Sequence, residues 1–349
     1  MAKKKSTLRK ILYGVLVVSA LLAAIYHQSI LYGISQGYGQ VSILMKARPI
    51  EEFLDDPNYP DSLKANIRLV QEIREFAFDS LGLNRNDNYT TLFDQGGKPI
   101  LWIVTGSDPY NLKAREWSFP FLGSFSYKGF FDFKKAEKEE GKLKAEGLDT
   151  SIGEVEGWST LGWFKDPILS NMLHRRPGSL ANLIIHELTH GTLYIKNDVD
   201  YNENLASFVG DKGALIFLRQ KYGEDSPEYR QYEEGKIMLE EYTKKVLING
   251  DRLDSLYNTF SNEMPLKDKG KLKKVVLKEI QLDLQNFFDQ YKNVNPRFYH
   301  RIENLNNTYF LDYRRYREKQ DVFEEEFREK FNSDFKAYML YLKETYPSL

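Results

Sequence analysis

Three residues of one segment have the types and spacing of a metal site. His186 and His190 lie four positions apart, and Glu187 directly follows the first histidine. On an α-helix, positions i and i+4 share one face, so both imidazoles can bind one ion. Glu187 would lie beside them, where a carboxylate can take a proton from a water at a zinc ion. The spacing therefore predicts a hydrolytic zinc centre.

The pattern is the His-Glu-x-x-His arrangement of the zinc peptidases. The residues that flank it, 183–185 and 191–193, carry no charge, which is typical of a buried helix beneath an active site. A buried Glu187 without a metal or a catalytic role would be costly, which disfavours reading the two histidines as ordinary core residues.

A third ligand must be an oxygen or an imidazole, because the chain has no cysteine. Glu203 follows His190 by 13 positions, which leaves room for a loop at 196–200 to turn the chain back. The segment Asn202-Glu203-x-x-Ala-Ser is similar to the pattern in which the glutamate-zincins carry their third ligand. The alternative ligands are Asp198, Asp200 and Asp211.

An electrophile must also stabilise the oxyanion that forms during hydrolysis. Tyrosine or histidine usually has this role, and Tyr201 and Tyr127 are the predicted catalytic partners of Glu187, with His174 as an alternative.

The N-terminus predicts a membrane anchor. Basic residues within 1–10 precede an apolar run, and no charged residue occurs between Lys10 and Lys46. This pattern favours a cytoplasmic tail at 1–10, a transmembrane helix at 11–33 and a catalytic domain outside the cytoplasm, which would be periplasmic in a bacterium. A cleaved signal peptide is the alternative. The expected location is the cytoplasmic membrane, as a single-pass protein.

Periodicity predicts an α+β fold. Apolar residues at helical spacing indicate helices over 40–53 and 61–81, and strands are indicated at 99–105, 123–131 and 150–164. A small, mainly antiparallel sheet packed on the motif helix is expected to form a zinc peptidase core over 34–225. A helical C-terminal subdomain over 226–349 is expected to complete the active site.

Several further blocks carry a family resemblance. The blocks are Trp117-Ser-Phe-Pro120 with Tyr127-Lys-Gly-Phe130, Ser159-Thr-Leu-Gly-Trp-Phe-Lys-Asp-Pro167, Asn202-Glu203, and Asn306-Asn307 followed by Tyr316. Together with the motif helix, they resemble the bacterial putative aminopeptidase family of zinc peptidases, of the glutamate-zincin type. The resemblance implies a zinc-dependent peptidase of the cell envelope and adds Tyr313 and Tyr316 as oxyanion candidates.

The substrate side is less determined. The segment that ends at Ser159, Thr160, Leu161 and Gly162 is the predicted substrate-binding strand, because an extended peptide could pair with it. An aminopeptidase needs a carboxylate for the substrate ammonium, and Glu154 and Glu156 are candidates.

Composition limits the partners. Lys plus Arg number 49 and Asp plus Glu number 50, so no global positive field recruits nucleic acid. The expected partners are a peptide or protein substrate and, through the N-terminal helix, the membrane. The leading hypothesis is a membrane-anchored zinc peptidase with Glu187 as general base; the alternatives are a catalytically silent envelope scaffold with a structural zinc, and a zinc amidase acting on cell-wall peptides.

Overall fold

The computed structural model describes residues 12–14, 16–18, 21, 24–119, 123–155, 157, 160, 164–291 and 296–346. The chain divides into two compact units, residues 1–46 and 47–349. In the first unit, helix α1 spans His27–Lys46, and serine and glutamine recur along it.

The predicted transmembrane anchor at 11–33 is not supported. No helix within the described residues combines the length and the apolar character that a membrane crossing requires. Of the predicted span, residues 11, 15, 19–20 and 22–23 lie outside the described part. This finding overturns the transmembrane part of the predicted fold and the single-pass, extracytoplasmic location that depended on it.

The second unit begins with a short strand and two helices, and a proline directly precedes each helix. Pro49 and Pro60 each directly precede a helix, where a fixed φ suits the position before the first turn. The elements of this half are β1 (Arg48–Pro49), α2 (Ile50–Asp55), α3 (Asp61–Asp79), β2 (Thr91–Phe93), β3 (Trp102–Ser107), β4 (Trp117–Phe119), β5 (Gly123–Phe125), β6 (Tyr127–Phe130), α4 (Phe133–Ala145), β7 (Asp149–Glu154) and β8 (Ile168–Leu169).

The strands form three small sheets in the described residues where the sequence predicted one. β3 is the centre of an antiparallel sheet in the order β6-β3-β7. β4 pairs antiparallel with β5, and β2 pairs antiparallel with β1 and parallel with β8. The antiparallel sheet packs against α4, so the expected packing of that sheet on the motif helix was not the main arrangement. The strand predicted over 150–164 ends at Glu154.

The rest of the chain is helical, as expected. A 3-10 turn at Ser170–His174 leads into the helices α5 (Pro177–His190), α6 (Val199–Tyr222), α7 (Pro227–Asn258), α8 (Leu266–Phe288), α9 (Pro296–Glu303), α10 (Asn307–Arg317), α11 (Gln320–Phe331) and α12 (Phe335–Thr345). The α+β class with a mostly helical C-terminal half is therefore confirmed.

Helix α5 lies in the core and packs against α3 and α6. Leu180, Ile184, Ile185 and Leu188 are completely buried along it. Helix α10 contacts α6, α7 and the antiparallel sheet, so it connects the two halves of the second unit. The residues that could do chemistry are thus carried by helices that packing holds on several sides.

Candidate metal centre

Helix α5 supplies three of the site residues. Pro177 occupies its first turn, where the missing N–H costs nothing, and the helix ends at His190, with Gly191 as its cap. His186 and His190 lie one turn apart on the face toward α6, and their ring centroids are 4.8 Å apart. The apolar face of the same helix is buried in the core, and the two imidazoles project from the face toward α6.

The turn between α5 and α6 is fixed by one side chain. Asn202 accepts a hydrogen bond at Oδ1 from the backbone N–H of Ile195, 2.8 Å away, and donates from Nδ2 to the Ile195 carbonyl at 2.7 Å. Asp198 caps α6 by accepting from the Tyr201 N–H at 3.0 Å. These bonds hold the first turn of α6 and therefore its next residue, Glu203.

A glycine lets the two helices approach each other closely. A Cβ atom placed on Gly210 would lie 3.0 Å from the Asn182 carbonyl oxygen and 3.3 Å from the His186 Cβ atom. Gly210 lies two turns after Glu203, on the same face of α6. The missing side chain therefore lets α6 bring Glu203 within reach of α5.

The three groups meet at closely similar separations. Glu203 Oε2 lies 3.3 Å from His186 Nε2 and 3.4 Å from His190 Nε2, and the two Nε2 atoms are 3.2 Å apart. His190 Nδ1 has no hydrogen-bond partner among the described residues, so Nε2 is its engaged atom. Within the described part of the chain, these three residues form the group that could hold a metal ion.

The ionisable groups of this site differ in the direction in which their pKa values are shifted. Burial alone would raise the pKa of Glu203, but the charge of His190 and hydrogen bonds from both imidazoles hold that pKa far below its usual range. Burial would lower the pKa of His190, yet the Glu203 carboxylate raises it. Burial raises the pKa of the Glu187 carboxyl, although the two histidines oppose this. Glu203 is thus a fixed anion, and Glu187 is the more basic carboxylate.

Comparison with protein families identifies the family to which this chain belongs. A family described as "Putative aminopeptidase" matches residues 31–345. The chain belongs to this family. Comparisons with curated proteins and with solved structures return no match. Family membership therefore supports a peptidase, whereas any metal chemistry depends on the geometry of the site.

Tyrosines surround the cluster of this family member. The Tyr316 ring centroid lies 6.5 Å from that of His186, and the Tyr194 ring centroid lies 5.9 Å from that of His190. Burial raises the pKa of Tyr127 and Tyr316 well above the usual range, and the Glu203 charge raises both further. Burial and Glu203 raise the pKa of Tyr194 to about 12. All three hydroxyls therefore stay protonated at neutral pH.

One predicted catalytic tyrosine lies elsewhere. The Tyr201 ring packs on Phe323 and Tyr346, with centroid distances of 5.5 and 5.1 Å, and it lines a surface cavity with α11. The Glu203 charge acts on Tyr127, whereas Tyr201 packs against Phe323 and Tyr346 and not against the predicted ligands.

The alternative residues have other partners. Asp198 caps α6, Asp200 lies 3.6 Å from Arg315, and Asp211 forms an ion pair with Arg317. His174 and Glu154 are exposed, and Tyr313 packs on Tyr242 and Tyr309.

Most of the predicted substrate-binding strand, Ser159, Leu161 and Gly162, lies outside the described residues, as does Glu156. Thr160 is described, and its backbone N–H donates to Asp166 Oδ2 at 2.8 Å. A substrate-binding role for this segment stays a prediction.

A buried asparagine holds Tyr316 in place and was not anticipated. Asn204 Nδ2 donates to the carbonyl of Arg315 at 2.5 Å, and Asn204 Oδ1 accepts from the Lys319 N–H at 2.8 Å. Both bonds attach the end of α10 to α6. The role of Asn204 is hard to predict from the sequence, because an asparagine inside a helix usually faces solvent or forms a cap.

Proposed function

We propose that the chain is a zinc-dependent aminopeptidase in which His186, His190 and Glu203 hold the metal and Glu187 is the general base. The observation that carries the proposal is the convergence of two imidazole nitrogens and one carboxylate oxygen beside a second buried carboxylate. Family membership supports peptide hydrolysis, and the donor set supports the metal.

The separations among the three ligand atoms favour zinc. Two ligands about 2.1 Å from a common ion at the tetrahedral angle lie about 3.4 Å apart. The separations of 3.2, 3.3 and 3.4 Å agree with three corners of such a tetrahedron. Nitrogen and carboxylate donors are those that zinc accepts.

The number of ligands supports a catalytic site over a structural one. A structural zinc site is closed by four protein ligands, whereas a catalytic site leaves a position for water or substrate. The group in the described residues contains three candidate ligands. A silent scaffold with a structural zinc is therefore the weaker proposal.

Zinc bound at these residues would supply Lewis acidity, which makes water a better nucleophile and polarises a peptide carbonyl. Glu187 is placed to accept the proton of the attacking water at its carboxylate. Glu187 can then deliver the proton to the leaving amine.

Tyrosine hydroxyls can stabilise the carbonyl oxygen as it becomes negative. Tyr316 lies next to His186, and Tyr127 lies in the field of Glu203 and Glu187. Both stay protonated at neutral pH because their pKa values are raised, so both can donate a hydrogen bond. Because Tyr201 packs against Phe323 and Tyr346, we assign this role to Tyr316 and Tyr127.

The experiment compares wild type with Glu187→Gln on a defined peptide library. We expect the wild type to release single N-terminal residues, and Glu187→Gln to keep its metal and fold while kcat falls by about a hundredfold or more. Glu137→Gln is the matched control, because Glu137 is an exposed carboxyl on α4, and it should keep full activity.

Each outcome has a distinct reading. Internal cleavage by wild type would replace the aminopeptidase with an endopeptidase. Activity confined to cell-wall fragments would indicate an amidase. Metal retention without any hydrolysis, or a Glu187→Gln variant as active as wild type, would contradict the proposed function.

A further inference from the structure

A glycine lies directly against the carboxyl group of Glu187. A Cβ atom placed on Gly157 would lie 2.1 Å from Glu187 Oε1 and 2.9 Å from the carboxyl carbon. Non-bonded carbon atoms pack at about 3.5–4.0 Å, so both distances are far too short for a side chain. The backbone of Gly157 therefore contacts the carboxyl group, and residue 157 has room for a side chain only if Glu187 moves.

The segment that carries Gly157 is fixed on both sides of the glycine. Two residues earlier, directly after β7, the Val155 N–H donates to the Leu101 carbonyl at 3.0 Å. Three residues later, the Thr160 N–H donates to Oδ2 of Asp166 at 2.8 Å, and Asp166 is completely buried. Because these bonds anchor the backbone before and after Gly157, the glycine cannot withdraw without disturbing them.

The other partner of the contact is fixed up to its side chain. Ile184 and Leu188 of the same helix are completely buried, and α5 packs against α3 and α6. Leu183 lies one turn before Glu187, and its Cδ1 atom would lie 2.9 Å from the same Cβ position on Gly157. The helix backbone is thus held by the core, whereas the carboxyl group of Glu187 ends a side chain that can change its rotamer. An atom added at residue 157 would therefore displace this carboxyl group first.

The position of this carboxyl group matters for its proposed role. A general base must lie within hydrogen-bond reach of the proton that it accepts. A misplacement of about 1 Å can lower the rate of an enzyme by about a hundredfold. A contact that limits where the Glu187 carboxyl group can lie therefore bears directly on the rate of hydrolysis.

We propose that Gly157 is a positioning residue whose bare backbone forms the wall against which the Glu187 carboxyl group packs, and that this wall holds the general base in place. The inference rests on the proposed function of Glu187. The contact itself is present in the structure and requires no bound substrate.

The test is Gly157→Ala, with Gly153→Ala as the matched control. Gly153 lies on β7, four residues earlier, and a Cβ atom there would meet Ile103 at 3.4 Å or more, which is an ordinary contact. We expect Gly157→Ala to lower kcat by about a hundredfold, and Gly153→Ala to keep the wild-type kcat. Both variants should bind as much metal as wild type, because the atoms nearest to the added methyl groups belong to none of the three proposed ligands.

Two further measurements separate a displaced carboxyl group from a damaged fold. Gly157 is only partly buried, and the atoms that obstruct a Cβ are the ends of the Glu187 and Leu183 side chains. Gly157→Ala should therefore keep a melting temperature close to that of wild type. A crystal structure of this variant should show the Glu187 carboxyl group displaced by about 1 Å or more, which is the overlap that must be relieved.

A shorter carboxylate gives an independent check. Glu187→Asp draws the carboxyl group back by one methylene, away from residue 157, and lowers kcat by itself. In this background we expect Gly157→Ala to lower kcat by less than about threefold, because the obstructed atoms are no longer there and the two substitutions are coupled. A disturbance that did not act through Glu187 would lower kcat by the same factor in both backgrounds.

Three results would overturn the proposal: wild-type kcat in Gly157→Ala, an equal loss of kcat in the Glu187→Asp background, or a lowered melting temperature with the carboxyl group still in place. Failure of the proposed function is distinguished by wild type and Glu187→Gln. Hydrolysis that does not depend on Glu187 would reject that function and the role of Gly157 with it. Hydrolysis that depends on Glu187 but is unchanged in Gly157→Ala would reject this inference alone.

Discussion

His190 and Glu203 hold each other in opposite charge states. The carboxylate raises the pKa of His190 above 6.5, and the imidazoles lower the pKa of Glu203 below 4.5. In the metal-free protein, the imidazolium contributes stability that is lost as pH rises through its folded-state pKa, and the carboxylate contributes stability that is lost as pH falls through its own. The pair therefore stabilises the metal-free fold most between the two unfolded values.

Metal binding should show the same competition with protons. A metal must displace the proton from His190, and a raised pKa keeps that proton bound up to a higher pH. We expect the apparent affinity for metal to fall on acidification, beginning above the ordinary imidazole value of about 6.5. Metal titrations at a series of pH values between about 8 and about 5 measure this. An affinity that stays constant until well below the ordinary imidazole value would contradict the prediction.

The same helix geometry explains which site residues could be predicted from the sequence. His186, Glu187, His190 and Glu203 come together because helical spacing and one short loop fix their directions. Tyr201 does not join them, since residues two apart on a helix point to nearly opposite faces, and Tyr201 is two positions before Glu203. The role of Asn204 could not be predicted in this way, because its partners Arg315 and Lys319 are distant in the sequence.

The α5 and α6 pair is the element that sets the ligand geometry. At Gly210, the nearest atom to an added Cβ is a backbone oxygen of Asn182, which cannot move without displacing α5. We expect Gly210→Ala to separate the helices, weaken metal binding and lower the free energy of unfolding by about 1–3 kcal/mol. Metal titration and urea unfolding measure the two effects.

Gly235 provides the control, because it lies inside α7 and an added Cβ atom would meet nothing within 4 Å. Gly235→Ala should raise the free energy of unfolding by about 0.5–1 kcal/mol, since glycine disfavours helix interiors. If Gly210→Ala behaved like Gly235→Ala, close packing would not be what positions Glu203.

The bounds of the helices could be predicted from the sequence, but the pairing of the strands into sheets could not. Pro177 and Gly223 mark the start of α5 and the end of α6, and local signals of this kind need no tertiary context. Pairing of β2 with β8 joins short strands that are far apart in the sequence, and no local pattern identifies such partners. Helix α4 is densely charged, yet one of its faces buries Leu143.

Across the whole second unit, α10 connects the sheet to the candidate metal site. At its start, Asn306 Nδ2 donates to the Thr150 carbonyl at 3.0 Å, and Asn307 Nδ2 donates to the Asp108 carbonyl at 2.8 Å. At its end, Asn204 holds the turn beside Tyr316. The position of Tyr316 next to His186 therefore depends on contacts at both ends of one helix.

A buried ion pair stabilises the start of that helix. Asp149 Oδ2 accepts from Lys273 Nζ at 2.5 Å and from the Asn307 N–H at 2.9 Å, so its charge lies at the N-terminus of α10, where a negative charge is favourable. Burial lowers the pKa of Lys273, although Asp149 opposes the shift. Asp149 therefore offsets part of the cost of burying this ammonium group.

We expect Lys273→Met and Asp149→Asn each to lower the free energy of unfolding by about 3 kcal/mol, because each leaves the other member of a buried pair without its counter-charge. Asp268→Asn is the control: it breaks an exposed pair with Lys271 and should change stability by less than about 1 kcal/mol. Urea unfolding measures all three, and metal content should stay at the wild-type level because the pair touches no metal ligand. A loss no greater than that of Asp268→Asn would mean that the sheet and α10 are held together without this pair, and that hydrogen bonds from Asn306 and Asn307 are sufficient.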